Sequence, residues 1–143
     1  LTVENEEYTP EQMHAMQMDA WAGLHINQLA ELTHALNRQV GWWKEYDEMP
    51  EKYRKHFIAG KLALVHSEVS EGLEGFRKGL MDDHLPHRPM VEVEMADAII
   101  RILDLAGAMN LDLGGAVAEK LLYNTQRPDH KLENREKDGG KSL

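Results

Sequence analysis

Residues 58–76 read IAGKLALVHSEVSEGLEGF, and residues 90–109 read MVEVEMADAIIRILDLAGAM. Neither stretch alternates apolar and polar with the period of two that marks a half-buried strand. Both repeat at three and four, the spacing of one face of a helix. On a wheel of about 100° per residue with Glu68 at zero, Ile58, Leu62, Val65, Val69, Leu73 and Phe76 gather at about 60–140°. With Glu94 at zero, Val91, Met95, Ala98, Ile99, Ile102, Leu105 and Met109 gather at about 20–140°. These stripes are expected to be the buried faces of two long helices.

Working outward, Thr9-Pro10-Glu11-Gln12 reads as a capping box that opens a helix over residues 10–23. A second helix is expected over 26–40, with Gly41 as its stop. A loop over 41–50 carries Trp42, Trp43 and Tyr46. Pro50 opens the third helix, which passes Gly60, where a bend is expected, and stops at Gly79. The fourth ends near Asn110, and Asp112 caps a fifth over 113–125. Residues 1–23 read as an N-terminal extension, and Pro128 begins a polar tail to residue 143. The fold class is all-α, a helical bundle of about five helices in one domain.

The chain has 143 residues, no cysteine and a formal net charge of −9. Absence of cysteine removes disulfides, thiolate metal sites and thiol nucleophiles, and fits a cytoplasmic protein. The acidic balance argues against a phosphate-neutralising surface for a nucleic acid polymer. No run of about 18 apolar residues offers a membrane span. The acidic N-terminus resembles neither a signal peptide nor a transit peptide.

The chemistry lies at the edges of the two stripes. Glu71 falls about 60° outside Glu68, and Asp97 about 60° outside Glu94. If the apolar faces pack together, four carboxylates converge. Such charges repel unless one takes a proton or a cation sits between them. Hard oxygen ligands suit magnesium, with manganese as a substitute, and a metal held at an open rim can grip polyphosphate.

Glu68-Val69-Ser70-Glu71 followed by Glu94-Met95-Ala96-Asp97 resembles the ExxE…ExxD signature of MazG-like pyrophosphohydrolases. The resemblance implies an all-α enzyme binding Mg2+ through Glu68, Glu71, Glu94 and Asp97. It implies hydrolysis of nucleoside or deoxynucleoside triphosphates between the α and β phosphates, giving a monophosphate and pyrophosphate. Lys120-Leu121-Leu122-Tyr123-Asn124, with Arg127-Pro128 after it, looks like the family's KxxxN and RP segments. Lys120, Asn124 and Arg127 suit phosphate oxygens by their chemistry. Gly41-Trp42-Trp43 and Gly139-Gly140-Lys141 are also similar to segments of such proteins. The resemblance covers residues 24–141, roughly, and implies a homo-oligomer, dimer or tetramer. Ser67 stands where many relatives carry a further glutamate, which bears on the number of metals and on the choice of base.

Either Glu71 or Glu68 could serve as the general base, with Glu71 favoured because it points further from the core. Of Trp42 and Trp43, one is expected to cap the core and one to stack on a base, with Trp43 preferred for stacking. Residues near Asn27 and Gln28 are the alternative base pocket. Lys61 and Arg101 are candidates for phosphate contact; Arg101 could instead orient Asp97 or form an ion pair with Asp104, and Lys61 could be structural. Glu74 reads as exposed. His34 reads as a surface or internally satisfied histidine. A di-iron or di-manganese bundle would use Glu-x-x-His, which neither pair offers. The alternative function is a non-catalytic helical module for nucleotide binding or protein interaction.

Overall fold

The capping box forms at the start of the first helix. Thr9 N donates to Gln12 Oε1 at 2.7 Å, and Gln12 N donates to Thr9 Oγ1 at 3.2 Å. In a computed structural model of the protein, residues 9–126 are described. Among them the elements are α1 (Pro10–Gln39), α2 (Lys44–Glu48), α3 (Glu51–Lys78), α4 (Met90–Ala108) and α5 (Leu113–Gln126), with no strand. An isolated bridge joins Met81 to Pro89 in the α3–α4 connection. No helix among the described residues is long and apolar enough to cross a membrane.

Several helix ends lie where sequence chemistry puts them. Gly79 takes the left-handed conformation, φ 63°, and its N–H bonds back to the last turn of α3. Gly41 has φ 90° just beyond α1. Asp112 accepts from Gly115 N at 2.9 Å at the start of α5. Two expectations need correcting. Residues 10–23 and 26–40 are not separate helices, because α1 runs unbroken through Gly23. That glycine serves an approach between helices: a Cβ added at Gly114 of α5 would lie 2.7 Å from Gly23 Cα. The loop over 41–50 also contains the short helix α2.

The described residues divide into two compact units, residues 9–26 with 112–126, and residues 27–111. In the first, α5 meets the N-terminal part of α1 at Gly114. An open apolar groove there is lined by residues that include His14, Met18, Ala118 and Leu121.

In the second unit α3 and α4 pack on each other, but not through the apolar stripes. The buried residues of α3 are Glu68, Gly72 and Gly75, at i, i+4 and i+7. A Cβ at Gly75 would fall 2.8 Å from Met90 Cβ, and one at Gly72 would fall 3.3 Å from Glu94 Cβ. The missing side chains let α4 lie close to the backbone of α3, and the contact carries Glu94 up to Glu68. Close approach needs small residues on the facing side, and the large ones are left outside. Leu62, Val69, Leu73 and Phe76 of α3 are exposed, Phe76 by 71 %. Met95, Ile99, Ile102 and Met109 are exposed too, Met95 by 61 %. Only the smaller and edge members of the α4 stripe, such as Ala98 and Leu105, are buried. The stripes expected to be the buried faces of these helices are therefore largely exposed within one chain.

Candidate functional site

Because the glycine seam brings α3 and α4 close, the carboxylates of Glu68, Glu94 and Asp97 converge. Each offers an oxygen within 4.8 Å of the others. Glu68 and Glu94 are buried and Asp97 is partly exposed. Glu71 is exposed and not one of this group, yet its charge acts on Glu94. The structure thus brings together three of the four expected carboxylates and leaves the fourth at the rim.

The crowding has electrostatic consequences. The Glu94 carboxyl is pushed up to about 7. Burial is the largest cause, followed by a hydrogen bond with Glu68 and the charges of Glu71, Glu68 and Asp97. Asp97 is also raised, first by burial and then by Glu68, with Arg101 opposing. A proton shared between Glu68 and Glu94 partly relieves the repulsion. A cation can do the same. The donors are hard carboxylate oxygens, and oxygens under 5 Å apart can share an ion that binds each at about 2.0–2.6 Å. The residues present fit a hard divalent cation.

Arg101 differs from its structural expectation. Its Nε donates to Glu68 Oε1 at 2.5 Å rather than pairing with Asp104. Asp104 instead anchors a buried network. Trp43 Nε1 donates to its two oxygens at 2.9 and 3.1 Å. His34 Nδ1 lies 2.9 Å from Oδ1 and Lys61 Nζ 3.6 Å from Oδ2. His34 Nε2 accepts from Arg38 Nε at 3.0 Å. Because Nε2 accepts from Arg38, it is the Nδ1 side of the ring that faces Asp104 as a donor. The internally satisfied reading of His34 is borne out.

This network decides between the tryptophans. Trp43 is 1 % exposed, and its ring meets the edges of His34 and Tyr46 at 4.9 and 5.3 Å. Lys61 Nζ sits 4.5 Å from its ring centroid. Trp42 is 53 % exposed. The preference for Trp43 as the stacking residue is corrected: its faces and its N–H are already engaged, and Trp42 is the residue open to a ligand. Trp42, Asn37, Lys61, Arg101 and Asp104 line a small polar pocket. Asn37 is buried and its Nδ2 has no hydrogen-bond partner.

Comparison of the chain with family models, curated proteins and solved structures gives no match.

The remaining expected residues are placed as follows. Lys120 and Asn124 lie on α5 in the other unit. Lys120 Nζ is 4.6 Å from the Tyr123 ring centroid, and Asn124 Oδ1 is buried without a hydrogen-bond partner. Arg127 and Gly139-Gly140-Lys141 lie outside the described residues. Glu74 pairs with Lys78 and Arg77 on the surface. The sequence reading missed Asp104 as an organiser and Asn37 altogether. Asp104 carried a signal, since a carboxylate inside the apolar run IIRILDLA must find partners if buried. Asn37 carried none.

Proposed function

We propose that this chain is a pyrophosphohydrolase of the MazG-like kind, converting nucleoside or deoxynucleoside triphosphates to monophosphates and pyrophosphate with Mg2+, or Mn2+ in its place. The observation that carries the reading is the convergence of Glu68, Glu94 and Asp97 oxygens within 4.8 Å. Their spacing in sequence also matches the ExxE…ExxD resemblance. Bound there, a divalent cation would neutralise the polyphosphate and the departing pyrophosphate.

The chain's own residues divide the work. Glu68, Glu94 and Asp97 are the ligands. Glu68 accepts from Arg101 and is buried, so it is poorly placed to take a proton from solvent. Glu71 is exposed beside the group, and it is the residue we assign as general base. It accepts the proton of a water whose oxygen attacks the α-phosphorus. The bond from that phosphorus to the α–β bridging oxygen breaks, and pyrophosphate leaves with the bridging oxygen. Trp42 offers its indole face to the base, and stacking of this kind contributes about 1–3 kcal/mol.

The exposed stripes of α3 and α4 support self-association. Monomers seldom expose contiguous apolar patches above a few hundred Å2. One two-fold operation would cover the same patch on both copies. We assign these stripes to a homo-oligomer interface.

The test is a panel of natural NTPs and dNTPs with and without Mg2+, products resolved, in isotopically labelled water. Pyrophosphate and a labelled monophosphate are expected. Orthophosphate plus a diphosphate would reject the class. Nucleotide binding without turnover would favour the non-catalytic module.

A further inference from the structure

Among the described Lys and Arg residues, Arg101 is the one bonded to the carboxylate group. Its Nε donates to Glu68 Oε1 at 2.5 Å. Lys61, which lines the same small pocket as Arg101, is engaged with Asp104. The Glu68 side chain is almost fully enclosed, whereas Arg101 keeps about a third of its side chain open to solvent. Arg101 also lines the small polar pocket with Asn37, Trp42 and Lys61, and its exposed third gives the guanidinium a way out to solvent. A planar guanidinium fork pairs well with one carboxylate. A small divalent ion draws oxygens from several carboxylates at once. The two therefore compete for Glu68, and only the ion can serve Glu94 and Asp97 in the same place.

We propose that Arg101 is the resident counter-cation of the site, and that a divalent cation must displace its guanidinium from Glu68 to complete the ligand set. The inference rests on the metal reading above. It makes Arg101 a positioning residue. It holds Glu68 in place without metal, opposes loose occupation of the site, and swings out toward solvent when released. An arginine that merely orients Glu68 would act in the opposite sense, since its loss would weaken metal binding.

The experiment uses the full chain and Mn2+ alone, with free ion followed by its magnetic resonance signal and melting followed in chelator. Arg101→Gln is expected to bind Mn2+ at least about tenfold more tightly, the scale of one released hydrogen bond between charged groups. It should also melt lower than wild type in chelator and recover on adding Mn2+. Arg101→Lys keeps the charge without the fork, and should shift the same way by less; it carries the test if Arg101→Gln fails to fold. Lys61→Gln removes an equal charge that does not touch Glu68, and should change affinity less than about threefold. Equal or weaker Mn2+ binding by Arg101→Gln overturns the displacement and leaves the metal reading standing. Equal tightening by Lys61→Gln also overturns it, because net charge would then be the cause. Absence of Mn2+ binding in both wild type and Arg101→Gln overturns the metal reading and the inference together.

Discussion

Replacing Glu94 by glutamine keeps the shape of the side chain and removes its charge, so stability and function should move in opposite directions. The folded carboxyl sits at about 7 against an ordinary 4.5. The folded protein therefore binds this proton more tightly than the unfolded chain does. The associated stability is fully present below about pH 4.5 and is lost as pH rises through about 7. The full difference corresponds to roughly 3 kcal/mol, an upper figure since unfolded chains retain some structure. Glutamine has no proton to lose and can still donate to Glu68. In chelator, the melting temperature of Glu94→Gln minus that of wild type should grow from about pH 5 to 8. About three quarters of this falls between pH 5 and 8, so at 2–4 °C per kcal/mol for a larger domain the growth should reach about 5–10 °C. Added Mg2+ should narrow the gap by stabilising the wild type more, since a ligand oxygen is missing in the variant. Pyrophosphate release by the variant should fall sharply. The assay is a set of thermal melts in chelator and in Mg2+ across that pH range, with turnover alongside. A difference that stays flat, or shrinks as pH rises, would refute the reasoning, because the buried charge would then not be opposed by its neighbours.

Single alanine changes at Glu68, Glu71 and Asp97 should each cost turnover about 100-fold or more, with folded protein by circular dichroism. Near wild-type kcat at two of them would remove the site. Trp43→Ala should destabilise by about 3–5 kcal/mol in denaturant melts, with Asp104 losing one of its partners. Trp42→Ala should leave stability within about 0.5 kcal/mol and change the kcat/KM ranking among four bases; an unchanged ranking would put the base elsewhere. Phe76→Glu, on the exposed stripe, should shift light-scattering mass toward the monomer, and unchanged mass would assign the stripe to something else.

Particular residues show what could be read in advance. Thr9 with Gln12, Gly79 and Asp112 act within one turn of their own positions, and each does in the structure what its local chemistry requires. Glu68, Glu94 and Asp97 were legible because their phase on each helix is a local property. Gly23 misled, since a glycine can end a helix or admit another one. The wheel could show that α3 and α4 each carry an apolar face. It could not show that the neighbouring glycine face would be the one to meet α4.

The amino-acid sequence by itself determined the all-helical class, most helix ends and the acidic pairs, because these depend on residues within a turn of one another. Tertiary structure alone decided the partners. Gly72 and Gly75 set how near α4 lies, which joins Glu94 to Glu68 and leaves Glu71 at the rim. Asp104 drew Trp43, His34 and Lys61 from distant positions into the interior, and so left Trp42 outside. Arg101 had Asp104 within one turn and bonded to Glu68, 33 residues away. An ion pair goes to whichever carboxylate the packing presents, and packing is a property of the whole chain.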